Sequence, residues 1–147
     1  MDLTDSIAIS VSALDAQRHR LNVIASNLAN AESTRTAEGT PYKRRDVVLR
    51  ATPIASKFKK ALMKAGGEEK PLEGVRVAAV REDPKPGKAI HDPKHPDADE
   101  DGMVHMPNVN VLEEMVNMVA ASRAYEANVQ AITAAKTMWR GALEIGR

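Results

Sequence analysis

The sequence predicts a mainly α protein with a small β-rich insertion. Long N- and C-terminal helices form a coiled-coil layer, and an irregular, partly β middle domain separates them. Three observations predict this. Apolar residues recur every seven positions near both ends of the chain, as in helices that share a seam. Only four of the 147 residues are aromatic (Tyr42, Phe58, Tyr125 and Trp139), so burial rests on Leu, Ile, Val, Met and Ala, which favours helix packing over a sandwich or barrel. Four of the eight prolines fall between residues 83 and 102, a stretch that no long helix can cross.

In the first helix the seam runs through Ile7, Leu14, Leu21 and Leu28. Val11 and Ala25 occupy the alternate row, which Arg18 interrupts. Asp2 or Thr4 is placed to cap the start, and the pattern ends near Asn30 to Ser33. Within it, "LNVIASNLANA" (21–31) carries no charge in a chain where 28% of residues are charged. On a helical wheel Asn22, Ser26, Asn30 and Asn27 spread over one side, about 140° wide, opposite Leu21, Ile24, Ala25 and Leu28. A solvated face usually carries Lys and Glu, which are good helix formers. Amides are poorer ones, but when packed they hydrogen-bond as donor and acceptor. The uncharged stretch therefore reads as a helix contacted on more than one side.

The middle of the chain reads differently. "GTPYKRRDVVLRATP" predicts a strand around Lys43–Ala51, and the alternation in "GVRVAAVRED" predicts another over Gly74–Asp83. "IASKFKKALMKAGG", Ile54–Gly67, reads as a short basic helix closed by Gly66. Its Phe58, Leu62 and Met63 suit a solvated helix, an anionic lipid surface or a neighbouring subunit. The proline-rich stretch 83–102 reads as loop. The domain division is then 1–33 with 107–147 as the coiled-coil layer, and 34–106 as the insertion.

The C-terminal helix repeats the first one's design. Val111, Met118, Tyr125, Ile132 and Trp139 are seven apart, and Met115, Ser122, Val129, Lys136 and Leu143 fill the alternate row. Asn110 followed by Glu113 resembles a capping box, with Pro107 just outside it, and Gly146 marks the far end. Arg18 and Lys136 stand at seam positions. Either they face carboxylates such as Glu113 or Glu144 of another subunit, or they snorkel to solvent. "MVNMVAAS" (115–122) and "ANVQAITAA" (127–135) are again uncharged.

Other function classes find little support. A formal charge of +1 gives no reason to expect nucleic acid. The absence of cysteine excludes disulfides, thiolate zinc sites and thiol catalysis. Asp2 and Asp5 stand where a secretory signal carries Lys or Arg, and no long apolar segment follows, so neither a cleaved signal peptide nor a membrane span is expected. "DADEDG" (97–102) matches the first half of an EF-hand loop through Asp97, Asp99, Asp101 and Gly102, with Val104 at the apolar eighth position. Its twelfth position is Asn108 after Pro107, and Pro93 and Pro96 forbid the entering helix, so an acidic turn is the plainer reading. His91, His95 and His105 lie near one another on a loop without the helical spacing of zinc hydrolases. No nucleotide fingerprint or nucleophile elbow is present, so neither an enzyme, a cofactor nor a small-molecule substrate is expected.

"ASNLANAEST…GTPYKRRDVVL" resembles the N-terminal signature of the flagellar rod, hook and filament axial proteins. "HPDADEDGMVHMPNVNVLEEMVNMVAASRAYEANVQAITAAKTM" resembles the C-terminal signature of the same family. The resemblance covers residues 1–50 and 89–147, and it is to the proximal-rod members above all. It implies a structural subunit of the basal-body proximal rod. Such subunits assemble helically, with terminal helices as an inner layer, into a drive shaft and the wall of an export channel. It also implies passage through the flagellar type III export apparatus without a cleaved signal, and a place in the periplasmic rod. The implied partners are further copies of the chain and the rod proteins FlgB, FlgF, FlgG and FliE. Carried over by motif, Asn27, Leu28, Ala29 and Asn30 lie in the N-terminal interface, and Ser122, Arg123, Tyr125, Glu126 and Asn128 in the C-terminal one. With the seam residues Ile7, Val11, Leu14, Leu21, Val111, Met115, Met118, Val129, Ile132 and Trp139 they make up the expected assembly interface. "STRTAEGTPY" is longer here than the turn after the Asn motif in many axial proteins. Two readings from other classes remain: a calcium-binding adaptor using the 97–102 loop, and a soluble homodimeric coiled coil.

Overall fold

A computed structural model describes residues 3–54 and 72–145. Helix α1 spans Leu3–Ala29 and helix α2 spans Val111–Ile145; with 27 and 35 residues, they are about 40 and about 52 Å long. Between them lie strands β1 (Arg45–Pro53), β2 (Glu73–Glu82), β3 (Ala89–His91) and β4 (Met103–His105). The expected plan of two long helices around a small β region is therefore present. Among the described residues no helix is long and apolar enough to cross a membrane.

α1 already includes Thr4, so Thr4 is not its cap, and Asp2 lies outside the described residues. Its C-terminal end is closed by Asn30, whose Nδ2 donates to the Ser26 carbonyl at 2.8 Å, while Ser33 Oγ donates to Asn30 Oδ1 at 3.2 Å. α2 starts as expected at Asn110. Its Oδ1 accepts from the N–H of Leu112 at 3.1 Å and of Glu113 at 3.5 Å, satisfying donors that the first helical turn leaves orphaned.

β1 and β2 form a two-stranded sheet. The Asp83 N–H bonds the Arg44 carbonyl at one end, and the Ile54 N–H bonds the Leu72 carbonyl at the other, so the pair is antiparallel. Both strands lie within two residues of their expected bounds. The stretch 83–102 is not all loop, because β3 sits in it and pairs antiparallel with β4, Ile90 opposite Val104. A three-residue strand has no periodicity to read; only its partner fourteen residues on defines it. The basic segment expected at Ile54–Gly67 lies, after Ile54, outside the described residues.

By contact density the described residues form two units. One comprises those within Met1–His19, Leu49–Ala78 and Ser122–Arg147; the other comprises Arg20–Val48 and Ala79–Ala121. In the first unit Ser10, Ala16, Gly74 and Ala135 are buried. Gly74 is there because Ser12 Oγ and the Ile54 side chain stand where a Cβ would go. Ser12 Oγ in turn accepts the Val75 N–H at 3.0 Å. In the second unit the buried side chains are Ile24, Asn27, Tyr42, Val104, Pro107, Glu114 and Ala121.

Gly87, which enters β3, passes against the backbone of Met106 and Pro107, and a methyl group there would collide with the Met106 carbonyl. Because backbone cannot yield as a side chain can, Gly87→Ala is expected to cost about 1–3 kcal/mol in urea denaturation. It should also expose the β3 and β4 amides to fast hydrogen exchange. An unchanged denaturation midpoint would contradict this.

Candidate assembly interface and its polar hub

The second unit is organised by a polar cluster joining the end of α1, the segment before β1 and the start of α2. Asn27 is fully buried. Its Nδ2 donates to the Arg45 carbonyl at 2.7 Å and to Glu114 Oε2 at 3.0 Å. Its Oδ1 accepts from Tyr42 Oη at 3.0 Å and from the Arg45 N–H at 2.9 Å. Both amide hydrogens and both lone pairs are thus used, the full capacity of an asparagine.

Glu114, also 0% exposed, is the anionic centre. Arg44 reaches its Oε1 through Nε at 2.9 Å and Nη2 at 2.8 Å, so the carboxylate has three donors. Burial lowers the proton affinity of Arg44, but the hydrogen bond to Glu114 and its charge outweigh that and hold the guanidinium above its ordinary pKa. The segment that delivers these residues is itself pinned. The Arg44 N–H donates to Asn108 Oδ1 at 2.8 Å, the Tyr42 N–H to the Ser33 carbonyl at 3.2 Å, and the Arg45 guanidinium stands 5.9 Å over the Tyr42 ring. Such a constellation can hold chain segments together.

The expected interface residues divide by exposure. On α1, Ile7, Leu14, Leu21, Leu28 and Asn30 are half-buried, Val11 is exposed, and of the three asparagines Asn27 is buried while Asn22 faces out. On α2, Met118, Ser122, Asn128 and Ile132 are half-buried, whereas Val111, Met115, Arg123, Tyr125, Glu126, Val129 and Trp139 are exposed. Burial in α2 falls at Glu114, Ala121 and Ala135, one residue before the alternate row read from sequence. In α1 the alternate-row positions Val11, Arg18 and Ala25 are all exposed, while Ser10 and Ile24, again one residue earlier, are buried. Within the chain, Arg18 bonds Asp15 at 3.0 Å on the surface.

A second apolar face of α2 therefore stays in the open. Leu112, Met115, Val116 and Val119 are 71%, 50%, 63% and 53% exposed. Their spacing places them in an arc of about 100°, on the side opposite Glu114 and Ala121. In the other unit Met138, Trp139 and Leu143 are 62%, 48% and 65% exposed. Monomeric proteins rarely leave such clusters uncovered.

The acidic loop is occupied with its own fold. Asp97 accepts from Thr34 Oγ1 at 2.8 Å and lies 3.6 Å from Arg35. Asp99 Oδ1 takes the Met103 N–H at 2.8 Å and the Asp101 N–H at 3.1 Å. The Met103 bond above all keeps the Asp99 carboxyl below its usual range. Gly102, at φ 72°, closes the turn into β4. Among the described residues no group of three acidic or histidine side chains is placed to hold a metal, and Asp97 and Asp99 spend their oxygens on the turn itself.

Comparison with known proteins bears on the two ends and on the whole. The family described as Flagella basal body rod protein matches residues 7–35. That described as Flagellar basal body rod FlgEFG protein C-terminal matches residues 100–145. The chain is 42% identical to the flagellar basal-body rod protein FlgC of Bacillus subtilis over 97% of both chains. To FlgC of Borreliella burgdorferi it is 41% identical over 99% of this chain and 98% of that one. To FlgC of Salmonella typhimurium it is 41% identical over 100% of both. The chain belongs to the FlgC family of flagellar basal-body rod proteins.

In this FlgC-family chain the two matched segments contain the opposite halves of the hub, Asn27 in one and Glu114 in the other. Tyr42 and Arg44 lie between them. Sequence reading found Asn27 but missed Tyr42, Arg44 and Glu114. One signal was available. Glu114 stands at helical spacing from Met118, Ala121 and Tyr125, and a carboxylate within an apolar stripe asks for a buried partner.

Proposed function

We propose that the chain is a structural subunit of the flagellar rod that joins its neighbours through the terminal helices. The observation that carries this reading is the apolar face of α2 at Leu112, Met115, Val116 and Val119, left exposed on the side away from the buried hub. Full-length kinship to rod proteins named FlgC supplies the assembly it serves. In the finer reading the segments 1–33 and 107–147 form the inner coiled-coil layer of the proximal rod, and 34–106 the outer domain. The layer is at once drive shaft and export-channel wall. The expected interface residues Ile7 to Asn30 on α1 and Val111 to Trp139 on α2 are the contacts. Further copies and the rod proteins FlgB, FlgF, FlgG and FliE are the neighbours. The rod lies in the periplasm, and the subunit reaches it through the type III export apparatus. A shaft needs stiffness and shared seams, and no catalytic centre.

Leu21 tests the reading. A strain whose rod protein carries Leu21→Asp is expected to build no hooks or filaments, while the purified variant keeps the hydrogen-exchange protection of β3 and β4. Normal flagella under the electron microscope would overturn the proposal.

A further inference from the structure

Seven-residue repeats bring a difficulty of their own. Shifting one heptad-patterned helix by seven residues, about 10 Å, puts apolar rows back on apolar rows, so the hydrophobic pattern alone does not select one alignment. In α2 the buried positions seven apart hold Glu114 and Ala121. In the alignment observed, Asn27 meets a carboxylate that accepts its amide hydrogen at 3.0 Å. In the shifted alignment it would meet the Ala121 methyl, leaving a buried donor unpaired and Glu114 without one of its three donors. Groups that are fully satisfied in one register and stranded in the next discriminate between registers even where they add little net stability.

We infer that the Asn27–Glu114–Arg44 cluster is a register lock, which sets the end of α1 against the start of α2 within the single chain before any neighbour is met. Three observations support this. Asn27 and Glu114 are both 0% exposed, so both draw their hydrogen bonds from protein groups. Arg44 grips Glu114 with two nitrogens, at 2.9 and 2.8 Å, which fixes the carboxylate in orientation as well as position. The Arg45 backbone closes on both ends of the Asn27 amide, so the same asparagine also fixes where the chain enters β1. A subunit locked in this way presents its exposed helix faces in one arrangement only.

The test uses the full chain, which has no native cysteine. Spin labels are attached at Asn22→Cys and Ala120→Cys, both exposed positions of the second unit. Pulsed electron resonance on dilute protein is expected to give one narrow distance for the labelled parent. Arg44→Met/Glu114→Met, which replaces the ion pair by apolar side chains of similar reach, is expected to keep its helical circular dichroism. It should show a broadened distance or a second one displaced by up to about 10 Å. A single distance unchanged from the parent would overturn the inference. Should the double variant not fold, Glu114→Gln decides. It offers one acceptor oxygen where Arg44 and Asn27 together need two. A broadened distance supports the lock, and an unchanged one removes it.

Discussion

Glu114→Ala is expected to lower the unfolding free energy by about 3–5 kcal/mol, the usual cost of removing one partner from a buried ion pair. The loss has two sources. Arg44, whose side chain is only 19% exposed, is left partly desolvated and without its hydrogen-bonded counter-ion, with only the weaker fields of Asp46 and Glu113 to balance its charge. Asn27, itself 0% exposed, loses the acceptor that its amide hydrogen meets at 3.0 Å. Arg44 can recover some hydration by swinging outward, so the lower half of the range is the expected outcome. Since a domain of this kind is stable by about 5–15 kcal/mol in total, that is a large fraction. The control is the adjacent carboxylate. Glu113 is exposed in the first turn of α2, and Glu113→Ala removes little beyond its interaction with the helix dipole, less than about 1 kcal/mol. Urea denaturation of the two variants side by side distinguishes them. Equal midpoints would mean that the hub contributes no more than a surface charge.

Leu112→Asp/Val116→Asp is expected to behave in the opposite way, leaving stability untouched and abolishing assembly. These side chains are 71% and 63% exposed, so the isolated chain loses no packing, and its urea midpoint should stay within about 0.5 kcal/mol of the parent. In an assembly that covers this face, each lost apolar contact is worth about 1.5–3 kcal/mol. The pair together then weakens every subunit contact by at least about a hundredfold. Two carboxylates forced into an apolar seam add a desolvation cost on top. A strain carrying the double variant should be non-motile, with rod protein present but no hooks on isolated basal bodies. Wild-type swimming rings would show that neighbours leave this face uncovered.

The two substitutions differ in how visible their basis was beforehand. Both long helices could be read from residue spacing, because helical periodicity is a local property of the chain. The Asn110 cap was legible for the same reason, since a cap acts on N–H groups two and three residues away. The exposed face at Leu112 to Val119 was foreshadowed by the uncharged run 115–122, which a purely solvated surface does not explain. Less was legible where one residue of register decides the outcome. The alternate rows were placed at Val11 and Met115, whereas burial falls at Ser10 and Glu114. Neighbouring helical positions point about 100° apart, so an error of one residue exchanges inside for outside.

By itself, then, the sequence determined that this protein has two long terminal helices with apolar rows, a β-containing middle and an acidic turn before the last helix. Each of these follows from residues within a few positions of one another. Only the tertiary structure decided that Glu114 rather than Glu113 is buried, that Tyr42 and Arg44 belong with Asn27, and that Ala89–His91 is a strand. The physical reason is that each is settled by a distant partner: Asn27 and Glu114 are 87 residues apart. A buried polar group is stable only beside the particular groups that satisfy it, and no local pattern records which these are.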